Sequence, residues 1–294
     1  MQHERAAPAK INLSLRVVGR REDGYHELDS LFVPLALADR VTVELEEASS
    51  SVVTCTCPGR PDLDGAENLA ARAAKAYLAR TGRTARVRLT VEKRVWAAAG
   101  LGGGSSDAAA VLRALNDAFH PLSEAELATV ALGLGADVPF FLLGRAARAQ
   151  GIGERLTPLS GLPLLDLVLA NPGTPLGTAE VYRALGLTPG ERRPAPPQPV
   201  ALDGRLESVL PLIWNDLEPP AARLCPEIPR LRARLAEAGA LATGMSGSGP
   251  TVFGLFRSPE EAGAAALFLK ESRGVSALAT QGGCSLTHLF GSPI

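Results

Sequence analysis

The sequence predicts an α+β fold, because strands come in runs with helices inserted between them rather than in strict β-α-β-α alternation. Strand-favouring stretches open the chain, and we expect four strands there, at residues 11–18, 31–37, 40–45 and 51–57. Asp39 is expected to separate the second of these strands from the third. Apolar residues then recur at helical spacing over 67–80, ahead of Gly82, and residues 85–95 alternate as an amphipathic strand does.

The remaining elements continue this mixed pattern. Residues 123–126 (SEAE) form a capping-box sequence, which predicts the start of a helix. Pro139 disfavours helix at Val138, so we expect Asp137 at a junction between a helix and an extended segment. We expect further helices over 105–119, 206–217, 227–238 and 259–272, and further strands over 145–156, 164–170, 251–256 and 275–280. The proline-rich segment 188–199 predicts a loop inside the second half of the chain.

Composition excludes several classes of function. The 294 residues carry a net charge of −1, which gives no overall field for nucleic acid or an anionic membrane. The chain has no apolar run of membrane-spanning length and opens on polar residues, so we expect a cytoplasmic protein with no membrane partner. Its four cysteines lack zinc-site spacing and are expected to be buried thiols. We expect a monomer or a weak homodimer.

The strongest chemical signal is a glycine-rich loop at residues 100–107 (GLGGGSSD), between a predicted strand and a predicted helix. Successive backbone N–H groups in such a loop form an anion nest, and the helix N-terminus adds its positive dipole end. We therefore predict an ATP phosphate site, with Ser106 as a candidate Mg²⁺ ligand. The predicted ATP-binding residues are Trp96, Ala97, Ala98, Ala99, Gly100, Leu101, Gly102, Gly103, Gly104, Ser105 and Ser106. A flexible loop with an ordinary helix cap is the alternative.

This loop matches none of three well-known glycine motifs. The sequence contains no Gly-Lys dipeptide, which excludes a Walker A motif. The third glycine of G-x-G-x-x-G would fall on Ser105, and no glycine stands two places after Ser105 or Ser106 as a nucleophile elbow requires. Asp107 is a possible magnesium ligand if its side chain turns toward the phosphates, and a helix cap otherwise.

A second glycine loop, residues 244–250 (GMSGSGP), precedes the predicted strand at 251–256. Alone it is compatible with a plain turn; beside the first loop it predicts a second wall of the same phosphate site. Its candidate residues are Gly244, Ser246, Gly247, Ser248 and Gly249.

Three further segments carry polar side chains suited to catalysis or binding. Lys10 and Asn12 stand two apart on an apolar strand and so share one face, which is either solvent or a cleft. Asp137 is either a helix cap or the acceptor of a proton from an attacking hydroxyl. Tyr25 and His26 lie in a turn, which is either plain surface or a place for a base to stack.

Together, PAKINL at 8–13, GLGGGSSDAA at 100–109 and GMSGSGPTVF at 244–253 resemble the GHMP kinase superfamily. The stretches GRREDGYHEL at 19–28 and GADVPFF at 135–141 are similar to one branch, the kinases of a cytidine-diphosphate-linked methylerythritol. The resemblance implies a two-lobed fold, with a ribosomal-protein-S5-like N-terminal domain over 1–160 and a ferredoxin-like C-terminal domain over 161–294. It implies ATP and Mg²⁺ as cofactors and γ-phosphate transfer to the 2-hydroxyl of the methylerythritol.

The resemblance also assigns roles to residues. It implies Asp137 and Lys10 as catalytic groups, and Asn12, Tyr25 and His26 as substrate-binding groups with His26 at the cytosine. Thr178 and Tyr182 match a further pair, with Tyr182 on the cytosine face opposite Tyr25.

Trp96 departs from the family pattern, which has proline just before the glycine loop. This substitution leaves the phosphate-binding glycines untouched. Two other functions stay open at this point. One is a GHMP kinase that acts on an amino-acid or sugar hydroxyl, and the other is a nucleotide-binding regulator without catalysis.

Overall fold

The computed structural model describes residues 1–119, 122–194, 202–272 and 274–290. Its strands are β1 (Gln2–Arg20), β2 (His26–Glu47), β3 (Val52–Thr56), β4 (Ala85–Glu92), β5 (Ala147–Gly151), β6 (Arg155–Pro158), β7 (Leu165–Asn171), β8 (Trp214–Asn215), β9 (Ala242–Met245), β10 (Val252–Phe256) and β11 (Ser276–Gly282). Its helices are α1 (Leu69–Thr81), α2 (Gly103–Ala118), α3 (Glu124–Leu134), α4 (Val138–Leu143), α5 (Thr178–Ala184), α6 (Glu218–Leu224), α7 (Glu227–Glu237), α8 (Pro259–Lys270) and α9 (Leu286–Phe290). The mixture of helices with a mostly antiparallel sheet confirms the predicted α+β class.

The long strand β2 organises the sheet. It pairs with β1 along almost the whole length of both strands, from Gln2↔Glu44 to Arg20↔His26. Its other edge takes β4, β5 and, through the pair Gly282↔Leu35, the C-terminal strand β11. The sheet then continues as β11-β7-β10-β9. One strand pair therefore spans both halves of the molecule, and side chains on β1 lie where the halves meet.

Asp39 does not interrupt a strand, contrary to the sequence-based expectation. It lies inside β2 and is buried. Its Oδ1 accepts hydrogen bonds from the backbone N–H groups of Arg94, at 2.5 Å, and Val95, at 2.8 Å, and its Oδ2 accepts one from Lys93 Nζ at 2.5 Å. Those partners satisfy the buried carboxylate, so the strand can continue through it.

Two further corrections concern local elements. Residues 138–143 are helical although Pro139 falls among them. Pro139 occupies the first turn of α4, where the missing N–H has no helical acceptor to lose. Residues 145–156, predicted as one strand, form parts of the hairpin strands β5 and β6.

One prediction in the second half also needs correction. The helix expected over 206–217 is two short 3₁₀ turns, Leu206–Ser208 and Leu210–Leu212, followed by β8. The helices α5, α6 and α9 and the strand β9 were not predicted. The loop expected over 188–199 lies outside the described residues from 195 onward. By contrast, Ser123 and Glu126 form the predicted capping box.

Three apolar clusters hold the fold together. One packs α1 to α4 on β2 and β4, and a second packs α5 to α8 on β7 and β10. The third lies between the halves, where Ile11 and Leu13 of β1 meet Leu167 of β7 and Phe253 of β10. None of the helices in the described part of the chain has the length and apolar character that crossing a bilayer requires.

Truncating the cluster between the halves should therefore cost much of the stability. Phe253→Ala removes a fully buried ring (0% exposed), and we expect it to lower the free energy of unfolding by about 3–5 kcal/mol. Leu267→Ala, at a side chain that is 66% exposed, should change it by less than about 0.5 kcal/mol. Urea denaturation of both variants measures the difference, and equal midpoints would show that this cluster does not stabilise the fold.

Candidate active site

Two clefts lie on opposite sides of the first glycine loop. The first has a volume of about 780 Å³ and is lined by side chains from β1, the β1–β2 turn, α5 and the second glycine loop. The second has a volume of about 490 Å³ and is lined by Trp96 to Gly100, Lys93 and the segment before α1. Gly100, Gly102 and Ser105 line both clefts. A group bound in one cleft can therefore meet a group bound in the other at these three residues.

The backbone of the first loop needs glycine at two of its positions. Gly100 and Gly102 have φ angles of +74° and +71°, in the region that other residues rarely adopt. Gly102 is also the N-cap of α2, so the free N–H groups of that helix point toward the loop. The helix begins at Gly103, two residues before the predicted start. The predicted order of strand, loop and helix is confirmed.

The second glycine loop contacts the first through Ser246. The Ser246 hydroxyl donates a hydrogen bond to the Gly100 carbonyl at 2.9 Å and accepts one from the Asn12 backbone N–H at 3.2 Å. A side chain at Gly100 would collide with the Ser246 carbonyl oxygen. The two loops and β1 are therefore in direct contact, with no space for an additional methyl group between the loops.

Members of the second loop occupy different positions. Gly247 and Ser248 line the first cleft, whereas Ser246 is buried behind it. Gly244 is a β9 residue packed against Ile213 and Phe253, and Gly249 packs against Met245. These two glycines therefore support the loop from behind and line neither cleft.

Asn215 holds the second loop from behind, and sequence reasoning missed it. Its amide nitrogen donates to the carbonyls of Met245 and Gly247, both at 2.8 Å, and its amide oxygen accepts from the Leu217 N–H at 2.8 Å. It is buried in β8, a two-residue strand that pairs with β1. No sequence motif distinguished this residue from an ordinary polar loop residue.

Lys10, Asn12 and Asp137 meet at the first cleft. Lys10 Nζ donates to Asn12 Oδ1 at 2.6 Å and lies 3.5 Å from Asp137 Oδ2. It also lies 4.5 Å from the centroid of the Phe32 ring, a cation–π distance. The Lys10 side chain is 5% exposed, whereas that of Asp137 is 32% exposed. Asp137 precedes α4 without capping it, so its carboxylate is free to face a bound molecule.

The other predicted substrate-binding residues line the far end of the same cleft. The rings of His26 and Tyr182 lie 4.7 Å apart at an angle of 34°, whereas Tyr25 is 60% exposed. Burial and the neighbouring Arg20 guanidinium lower the pKa of His26. Burial, with a smaller effect of the Asp137 charge, raises the pKa of Tyr182. Thr178 contacts the second loop through its hydroxyl, 2.9 Å from that of Ser248.

A buried charge cluster beside the second cleft was also missed. Lys93 Nζ donates to Asp39 Oδ2 at 2.5 Å and to Asp107 Oδ2 at 2.7 Å. Burial raises the pKa of Asp107 to about 7 despite the lysine. Burial opposes the charge on Lys93, but the two carboxylates outweigh it and raise the pKa of that lysine. The scarcity of lysine in the sequence was the one available signal, since only four lysines occur.

Ser105 and Ser106 point to different surroundings. Ser105 lines both clefts, whereas the Ser106 hydroxyl is buried, has no hydrogen-bond partner in the described structure and lines neither cleft. Asp107 lines the second cleft, and its Oδ1 likewise has no partner there. The part of the chain that the structure describes contains no group of three or more His, Cys, Asp or Glu side chains suited to a metal ion.

Known protein families match both halves of the chain. Residues 68–145 match the family described as "GHMP kinases N terminal domain", and residues 201–274 match "GHMP kinases C terminal". The chain belongs to the GHMP kinases. ATP is the phosphate donor that membership of this kinase family implies.

Its relatives place it in one branch of these kinases. A protein of Anaeromyxobacter sp. (strain Fw109-5) is 48% identical over 92% of this chain and 88% of its own length. A protein of Thermus thermophilus is 48% identical over 91% of this chain and 92% of its own. Both are named 4-diphosphocytidyl-2-C-methyl-D-erythritol kinase. This GHMP kinase belongs to that branch.

Solved structures agree with the two-lobed fold. A crystal structure of 4-(cytidine 5'-diphospho)-2C-methyl-D-erythritol kinase superposes with a TM-score of 0.81 and 46% identity, and covers 96% of this chain and 99% of its own. A homoserine kinase from Cytophaga hutchinsonii gives a TM-score of 0.71 at 19% identity, covering 97% and 95%, and so shares the fold.

The close contact between the glycine loops gives a direct test. Gly100→Ala should lower both the free energy of unfolding and the activity, because its methyl group meets the Ser246 backbone and its φ is positive. Gly263→Ala is the matched control, in α8, where an added methyl group meets nothing within 4 Å. It should stabilise the protein by about 0.5–1 kcal/mol. Thermal unfolding of both variants measures this, and an unaltered Gly100→Ala protein would contradict the described packing.

Proposed function

We propose that this GHMP kinase transfers the γ-phosphate of ATP to the 2-hydroxyl of 4-diphosphocytidyl-2-C-methyl-D-erythritol, in the non-mevalonate supply of isoprenoid precursors. One observation carries the proposal. The two clefts share Gly100, Gly102 and Ser105, and the Lys10–Asp137 pair lines the first cleft together with them. A nucleotide in the second cleft and an acceptor in the first would bring phosphate and hydroxyl together at this wall.

In this proposal Asp137 orients the acceptor hydroxyl and takes its proton. Its carboxylate is partly exposed in the first cleft and is not used as a helix cap, so it can accept a hydrogen bond from the substrate. Lys10 is fixed by Asn12 and Phe32 and places its positive charge beside that carboxylate. Positioning and electrostatics of this kind account for most of the catalysis of phosphoryl transfer.

The far end of the first cleft would hold the cytidine. Tyr182 offers a large ring there, and its phenol, whose pKa burial raises further above its ordinary value, is neutral at physiological pH. The exposed Tyr25 can close over the opposite face of the base. A lowered pKa keeps His26 neutral, so that its ring can donate and accept hydrogen bonds to the base edge. Thr178, whose hydroxyl lies 2.9 Å from that of Ser248, would lie between the base and the second loop.

The second cleft would hold the nucleotide. The free N–H groups at the N-terminus of α2 and the Ser105 hydroxyl suit the phosphates, and Trp96 and the alanines beside it suit the adenine. Lys93 also lines this cleft, where it is hydrogen-bonded to Asp39 and Asp107. The loop therefore has a lysine beside it in space, although it contains none in sequence.

The proposal includes a Mg²⁺ ion, and the site contains oxygen atoms that suit this ion. Asp107 lines the second cleft and its Oδ1 has no hydrogen-bond partner in the described structure, whereas the Ser106 Oγ, also without a partner there, lines neither cleft. Oxygen is the donor that Mg²⁺ prefers. Mg²⁺ usually binds through one or two carboxylates plus the substrate phosphates, so a site of three acidic side chains is not required. When bound, it would neutralise charge on the β- and γ-phosphates.

The domain boundary at residue 160, the cytoplasmic location and the oligomeric state stay predictions.

Asp137→Asn tests the assignment of the base. We expect kcat to fall at least about 100-fold with little change in the KM for ATP, because general-base catalysis contributes about 10²–10⁴-fold. Asp117→Asn is the control, since Asp117 is half-exposed and pairs with Arg5 outside both clefts. A coupled ADP-release assay measures both variants. A kcat for Asp137→Asn within about tenfold of wild type would rule out this role.

A panel of acceptors tests the substrate. We expect ADP release with 4-diphosphocytidyl-2-C-methyl-D-erythritol and none above background with homoserine or mevalonate, since these two lack the base that the His26–Tyr182 end would bind. Preferential turnover of homoserine or mevalonate would favour another GHMP kinase activity. ATP binding without ADP release on any acceptor would favour a non-catalytic regulator.

A further inference from the structure

Arg20 and His26 face each other at the open end of the β1–β2 hairpin. They form its last strand pair, and both side chains line the first cleft. The turn between them is closed by the Arg21 N–H donating to the Tyr25 carbonyl at 2.7 Å. Tyr25 is in turn held by the Asp23 carboxylate, which accepts from its backbone N–H at 3.1 Å. The hairpin end is therefore a defined platform that carries Tyr25 and His26 together.

Arg20 also binds the hairpin to the chain segment that follows α5. Its guanidinium NH1 donates to the Leu187 carbonyl at 2.9 Å. Its backbone N–H donates to the Glu191 carbonyl at 2.9 Å, and its own carbonyl accepts from the Gly190 N–H at 2.9 Å. Leu187 is buried three residues after the end of α5, the helix that carries Tyr182. One residue thus connects the platform under His26 to the element under Tyr182.

The charge of Arg20 is also available to act on His26. No carboxylate among the described residues forms an ion pair with Arg20, and its Nε lacks a hydrogen-bond partner there. The Tyr182 ring lies against the His26 ring, and the Asp137 carboxylate acts on the Tyr182 phenol. Burial and, after it, the Arg20 charge hold the pKa of His26 down.

We propose that Arg20 is a positioning residue for the base-binding end of the cleft, where it fixes His26 and Tyr182 at the spacing that the cytosine requires. The proposal rests on the proposed function. Arg20 should affect the binding of the acceptor and not that of ATP, because the contacts of Arg20 lie in the first cleft or behind it. Arg20 acts through its neighbours and takes no part in phosphate transfer.

Arg20→Met tests this, since methionine keeps much of the apolar stem and removes the charge and the donors. We expect the KM for the acceptor to rise about tenfold, as for the loss of a hydrogen bond to a charged group, with the KM for ATP unchanged within about twofold. Arg86, an exposed β4 residue that is ion-paired with Glu46 outside both clefts, supplies the control Arg86→Met, which should change neither KM.

The pH dependence separates positioning from general disruption. Without the Arg20 charge, His26 binds a proton at higher pH, so the acid limb of kcat/KM for the acceptor should move to higher pH in Arg20→Met. Arg20→Lys keeps a positive charge and should retain the wild-type limb while it recovers only part of the KM. The His26 C2–H proton resonance, assigned with His26→Gln, reports the same titration directly.

The results distinguish a failure of the role of Arg20 from a failure of the proposed function. A rise of both KM values together, or an unmoved acid limb with an unchanged KM for the acceptor, would overturn the role of Arg20. If the wild-type protein does not phosphorylate the cytidyl acceptor, the proposed function fails first and the role of Arg20 fails with it.

Discussion

The Ser246 hydroxyl makes the contact on which the site depends. It donates to Gly100 of the first glycine loop and accepts from the backbone of Asn12 on β1, so three segments from distant parts of the sequence meet at one oxygen atom. The two loops approach so closely that only glycine fits at position 100. Asn215 holds the second loop from behind with its two amide donations. The position of each cleft relative to the other follows from this contact.

Charge is divided between the two clefts by the same arrangement. Lys10 lies on one side of the glycine loop beside Asp137, and Lys93 lies on the other side between Asp39 and Asp107. Lys10 lies 3.5 Å from one carboxylate and Lys93 donates to two, which offsets the cost of burying their charges. In the proposed reaction the first lysine acts on the acceptor side and the second on the nucleotide side. A chain with only four lysines thus uses two of them at this site.

The sequence could predict features whose cause is local. Gly100 and Gly102 have the conformations that a glycine loop before a helix requires, and Ser123 caps its helix with Glu126 as the motif predicts. Lys10 and Asn12 share a face because strand side chains alternate. The roles of Tyr182 and Thr178, in contrast, were implied by family resemblance alone, and α5, which carries them, was not predicted.

Features with distant causes could not be predicted. From sequence, Asp39 is expected to interrupt a strand, because its hydrogen-bond partners lie 54 to 56 residues later in the chain. Asn215 is an ordinary polar residue until the second loop is packed against it. In both cases the tertiary partner satisfies a group that would otherwise be costly to bury.

The central claim is that phosphate and hydroxyl meet at the wall shared by the two clefts. A crystal structure with a non-hydrolysable ATP analogue and 4-diphosphocytidyl-2-C-methyl-D-erythritol bound together tests it most directly. The account predicts the γ-phosphate against Gly100, Gly102 and Ser105, with the acceptor 2-hydroxyl about 2.6–3.2 Å from an Asp137 carboxylate oxygen. Both ligands in one cleft, or an acceptor hydroxyl outside hydrogen-bonding reach of Asp137, would contradict it.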